Sequence, residues 1–125
     1  MNKFDNVKDF FSFMIDVPSV AWRFHLSTDS YSEHMALDDF YEEMQELVDS
    51  LIEAYQGKFE KFGYIEPVEY EVGKDAVSFL EGLLDTISDI EVKETVFVEN
   101  DELQSDIDDI VSLIDSTLYK LKNLK

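Results

Sequence analysis

The chain has 125 residues, 45% of them hydrophobic and 14% aromatic, which suits one domain with its own core and leaves too little for two. Ten Lys and Arg stand against 29 Asp and Glu, a formal net charge of -19. The clustered cations that a phosphate backbone requires are missing, so direct nucleic-acid binding is not expected. There is no cysteine, which excludes disulfides and thiolate metal sites and fits a cytoplasmic location.

No run of 18 apolar residues occurs, so no membrane span is expected. The opening "MNKFDNVKDFFSFMIDV" carries acids and lacks a small-residue cleavage site, so it does not read as a signal peptide. A strongly acidic surface suits solubility, attraction of cations, or mimicry of a polyanion.

Only four glycines and two prolines punctuate the chain, which favours long helices. From about Asn2 to Ser27, Phe10, Phe11, Met14, Val17, Ala21 and Phe24 recur at helical spacing. Pro18 lies inside this stretch and predicts a kink near Met14 to Val17, or two separate helices. The second helix is opened by Ser30 with Glu33 three residues on, the pattern of a capping box. Its apolar stripe is Leu37, Phe40, Met44, Leu47, Val48, Leu51 and Tyr55, and Gly57 marks its stop.

"GKFEKFGYIEPVEYEVGK" reads as a connection, with Gly63, Pro67 and Gly73 as turns. A third helix starts near Lys74 or Asp75, carries Val77, Leu80, Leu83, Leu84 and Ile87, and is predicted to end near Asp89. "IEVKETVFVEN" alternates weakly and reads as an extended linker. The fourth helix starts near Asn100, a good cap residue, with Leu103, Ile107, Ile110, Val111, Ile114, Leu118 and Leu121 as its stripe. Lys120, Lys122 and Lys125 complement its C-terminus, and Asp101, Asp108 and Asp115 read as its solvated face. The whole, residues 1–125, is therefore an all-α, single-domain four-helix bundle.

Both histidines, His25 and His34, fall between Phe24 and Gly57. Three carboxylates, Asp38, Asp49 and Glu53, follow on the second helix. On a wheel of about 100° per residue, with His34 as origin, Asp38 falls near 40°, Asp49 near 60° and Glu53 near 100°. All four share one side, but the two pairs are separated by roughly 22 Å along the axis. No single metal ion bridges that distance, because ligand bonds are only about 2 Å long.

A two-fold axis removes the mismatch. If the helix pairs with an antiparallel copy, crossing near Glu43 and Met44, the His34/Asp38 end of one chain meets the Asp49/Glu53 end of the other. His25 then approaches from the same chain as His34. Taken singly, each residue has a plainer role: His25 a packed core histidine, His34 a helix-start residue, and the three acids ordinary surface charges.

The same residues resemble the Dps-like branch of the ferritin-like proteins, the miniferritins. The pattern is a histidine closing one helix (His25), a histidine opening the next (His34), then Asp38, Asp49 and Glu53 within "SEHMALDDFYEEMQELVDSLIEAYQG". The likeness is specific from Phe24 to Gly57 and loose elsewhere, and it extends in particular to small Dps-like proteins encoded by bacteriophages. It implies a ferritin-like bundle and an intersubunit site in which His25, His34 and Asp38 come from one chain and Asp49 and Glu53 from its two-fold mate. It also implies iron as the metal, with manganese or zinc as alternatives, and oxidation of Fe(II), which makes the protein a candidate ferroxidase.

The sequence departs from the family in a shorter connection between the histidines, in Leu26 after His25, and in having no lysine-rich segment before the first helix. The Glu-x-x-His motifs of larger di-iron bundles are absent, because Trp22 and Tyr31 stand three residues before the histidines. The alternative from a different class is a non-catalytic, acidic phage-type bundle that binds or sequesters a host protein.

Overall fold

The computed structural model describes residues 2–125. It holds five helices: α1 (Val7–Ser27), α2 (Tyr31–Lys58), α3 (Ala76–Lys93), α4 (Val96–Glu99) and α5 (Asp101–Asn123). Among the described residues there is no strand, and no helix is long and apolar enough to cross a membrane.

Each long helix begins with a side chain that accepts a hydrogen bond from an otherwise orphaned backbone N–H. The caps are Asn6, Ser30, Asp75 and Asn100, and each typically stabilises by about 1 kcal/mol. At Ser30 the capping box takes a modified form. Ser30 Oγ accepts from the Glu33 N–H at 3.2 Å, but the Glu33 carboxylate accepts from Thr28 Oγ1 at 2.6 Å, and Thr28 Oγ1 in turn accepts from the Ser30 N–H. The three residues that join α1 to α2 are thereby fixed by side chains at both ends.

One sequence expectation narrows and another changes. Pro18 does not split the first segment: α1 runs through it as one helix. The missing proline N–H leaves the Met14 carbonyl without its usual donor, but Met14, Val17 and Ala21 on the same turns are essentially fully buried, and that packing holds the helix together. The stretch read as an extended linker is instead the last turn of α3 and the short helix α4. Phe97, at its centre, is completely buried.

The four long helices form a ring. α1 packs on α2, α2 on α5, α5 on α3, and α3 on α1, while the diagonal pairs do not lie side by side. Directions follow from the cross-links. Lys58 at the end of α2 pairs with Glu102 at the start of α5 at 3.1 Å, and Ser32 at the start of α2 donates to the Leu124 carbonyl at 3.2 Å. Lys93, near the end of α3, donates to the Phe4 carbonyl at 3.2 Å and lies 2.9 Å from Asp89, while Phe24 of α1 meets Phe79 of α3. Neighbours in the ring are thus antiparallel, and α2 and α3 run the same way.

A connection between two such helices must travel the length of the bundle, which is why residues 59–75 are long and extended. Ser12 donates to the Glu66 carbonyl at 2.6 Å, Asn2 brackets Glu71 through both backbone groups, and Tyr70 stacks edge-on to Phe13. Gly63 and Gly73 take positive φ, 75° and 84°, where a Cβ would be strained.

Candidate metal centre at the histidine end

Phe24 closes α1 by accepting from the Thr28 N–H, and the carbonyls of the following residues then have no helical donor. The His25 carbonyl finds one in another helix: His34 Nδ1 donates to it at 2.8 Å. The reverse bond also forms, with His25 Nδ1 donating to the His34 carbonyl at 2.6 Å. The two rings lie face to face, centroids 3.6 Å apart and 18° from parallel.

A carbonyl only accepts, so each Nδ1 carries its proton, and in the neutral rings each Nε2 keeps a free lone pair. This is how metal-ligating histidines are usually oriented, with the far nitrogen tied to a backbone carbonyl. His25 is buried and His34 is half-buried.

Asp38, one turn after His34, is half-buried. Its Oδ1 accepts from the Tyr41 hydroxyl at 2.7 Å, and the Tyr41 ring stands edge-on to His25 at 5.5 Å and 6.2 Å from Trp22. The bond to Asp38 is the main reason the Tyr41 hydroxyl is pushed up to about 12, with burial and the charges of Asp38 and Glu42 acting in the same direction. His25, His34, Tyr41 and Trp22 therefore gather at one end of the α1–α2 hairpin, with Asp38 tied to them through the Tyr41 hydroxyl.

Asp49 and Glu53 are exposed further down α2. Asp49 lines an open groove of about 830 Å³ between the outer faces of α1 and α2, with Ile15, Pro18 and Ser19 on one wall and Glu42, Gln45 and Glu46 on the other. Among the described residues no three or more His, Asp or Glu side chains of one chain converge on a point where they could hold a metal. Of the five candidate ligands, the structure brings His25 and His34 into contact, while Asp38, Asp49 and Glu53 do not join them in one ligand set.

Residues 25–121, from the end of α1 through nearly all of α5, match a family of unknown function, DUF5856. The chain belongs to the DUF5856 family. No curated protein and no solved structure matches it.

In this DUF5856 member the residues that reasoning from sequence missed are Tyr41 and the reciprocal carbonyl bonds. Tyr41 had a legible signal, because a residue three after Asp38 lies on the same helix face. At the level of the expected crossing, the structure shows which side chains face outward. Met44 is completely buried in the bundle core, and the exposed residues around it are Glu42, Glu43, Gln45 and Glu46.

Proposed function

We propose that the protein is a Dps-like metal-binding protein whose site is shared between two chains. His25, His34 and Asp38 of one copy are completed by Asp49 and Glu53 of another, across a two-fold axis on the outer face of α1 and α2. The observation that carries this reading is the reciprocal histidine pair, which fixes both Nδ1 atoms as donors and leaves both Nε2 atoms for a ligand. The ring order of the helices and the long α2–α3 crossover support a ferritin-like bundle.

Two imidazoles with carboxylates suit Fe(II), Mn(II) or Zn(II), and Fe(II) would be the substrate of the ferroxidase activity that the Dps-like resemblance implies. A second reading, a non-catalytic acidic protein that captures a host protein, draws support from Trp22, which is 51% exposed against Tyr41 of α2 on a strongly acidic chain.

Complementation between mutants separates the two. His34→Ala and Glu53→Ala should each abolish Zn(II) binding, measured by titration calorimetry, because every site in either homodimer lacks one ligand. In a mixed dimer one site carries both lesions and the other carries neither. Random mixing after refolding should therefore restore about a quarter of wild-type capacity. Absence of restored binding in confirmed heterodimers places each site within one chain, and wild-type binding by both mutants favours the second reading.

A further inference from the structure

We propose that a pocket between α1 and the crossover takes a small carboxylic acid with an apolar body, such as a medium-chain alkanoate, and that Arg23 binds its carboxylate. The pocket has a volume of about 350 Å³ and is lined by Val20, Arg23, Phe24 and Ser27 of α1 and by Tyr70 and Val72 of the crossover. That volume lies at the small end of ligand pockets, which run from about 300 to 1,000 Å³. Val20 and Phe24 lie roughly 140° to 180° around α1 from Ile15. The pocket is therefore separate from the outer α1–α2 face and independent of the metal-site reading.

The walls are held from behind. Val20 is buried, Phe24 packs on Phe79 at 6.2 Å, and Tyr70 stands edge-on to Phe13 at 5.2 Å. The polar groups then select the charge of the ligand. The Ser27 hydroxyl donates to the Phe24 carbonyl at 3.0 Å, so its proton is already engaged. The Tyr70 hydroxyl is pushed up by burial and then by Asp16, while Arg23 acts in the opposite direction, so both charges lie near the polar end of that ring. Arg23 is the only arginine of the chain, and among the described residues it forms no ion pair although 29 acids are present. A guanidinium only donates, keeps its charge, and matches a carboxylate with two parallel hydrogen bonds. Such a group at an apolar pocket selects an anion with an apolar body. A net charge of -19 repels small anions in general, so the apolar part is needed for retention.

The test titrates the full chain with octanoate, octylamine and acetate and follows the backbone amide chemical shifts. Octanoate should bind once per chain and move the signals of Val20, Phe24, Tyr70 and Val72, while octylamine and acetate should bind at least about 10-fold more weakly. Arg23→Gln should keep the melting point, because Arg23 is exposed and unpaired. It should weaken octanoate binding about 10- to 100-fold, the scale of a lost hydrogen bond to a charged group. Val72→Trp fills the pocket from an exposed position and should abolish octanoate binding with Arg23 in place. No octanoate binding by the wild type, equal binding of octanoate and octylamine, or wild-type affinity in either variant would each overturn the proposal. Tighter binding of a short peptide ending in leucine than of octanoate would make the ligand a chain terminus, and that outcome overturns it too.

Discussion

The two ends of the bundle solve the problem of closing a helical barrel in opposite ways. At the end where α1 starts and α2 finishes, the plug is aromatic. Phe11 meets Tyr55 at 5.3 Å, Phe62 at 6.0 Å and Phe97 at 6.1 Å, so rings from α1, α2, the crossover and α4 converge. At the other end the closure is polar: two histidine rings, each bonded to the backbone of the other's helix. An apolar plug stabilises by removing area from water and is indifferent to direction. A reciprocal hydrogen-bonded pair closes the end and also leaves two ring nitrogens with a defined orientation. The first end is closed by apolar packing, and the second by oriented polar groups.

The largest expected effect follows from breaking the apolar end. Phe97→Ala removes a completely buried ring and should cost about 3–5 kcal/mol, read as a lower denaturant midpoint at unchanged slope. The metal affinity of the folded protein should not move, because Phe97 lies at the far end from both histidines. A parallel loss of affinity would show that the two ends are coupled.

The next effect concerns the face between the ends. Ile15 is 47% exposed on the α1 wall of the groove that Asp49 lines. Ile15→Asp changes little inside a monomer, yet in the proposed two-fold interface it would add two negative charges to a face already flanked by Glu42, Glu46 and Asp49. It should give monomers by light scattering and lose Zn(II) binding with its ligands untouched. An unchanged dimer would remove this face from the interface.

What the sequence made legible follows the same division. The stripes of α2 and α5 repeat every three to four residues over many turns, so their helices and inward faces could be read directly. Helix α4 could not, because four residues show no period and Phe97 owes its burial to rings brought from distant segments. Met44 was readable as a core residue from its own stripe, and a stripe residue cannot also serve an outer crossing. The pairing of His25 with His34 was suggested by their positions at facing helix ends. The carbonyl bonds that orient them depend on how α1 and α2 turn about their axes, which no local pattern records.

A smaller effect tests the caps that start the ring. Asp75 accepts from the Ser78 N–H at 2.8 Å, and this bond holds its carboxyl below the usual carboxylate range. Asp75→Ala should cost about 1 kcal/mol. The depressed folded value means that the contribution is present above the ordinary aspartate pKa and is lost as pH falls through the folded one. The difference between mutant and wild type should therefore shrink on acidification, and a constant difference down to the lowest pH at which the fold persists would assign the cost to helix propensity instead.

The smallest effect is spectroscopic and compares tyrosines from the two ends. Tyr41 is pushed up to about 12 chiefly because its hydroxyl donates to Asp38. Tyr55, in the aromatic plug, is raised chiefly by burial. Only the protonated phenol can donate, so folding favours it. The stabilisation is complete below the ordinary tyrosine pKa and is lost as pH rises through about 12. In an alkaline titration of tyrosinate absorbance, Tyr41→Phe should remove one late-titrating component. Asp38→Asn should move that same component down, since the neutral amide accepts more weakly and carries no charge, and it should leave the Tyr55 component in place. If Asp38→Asn shifts neither, burial governs both tyrosines and the polar end lacks the carboxylate–phenol bond.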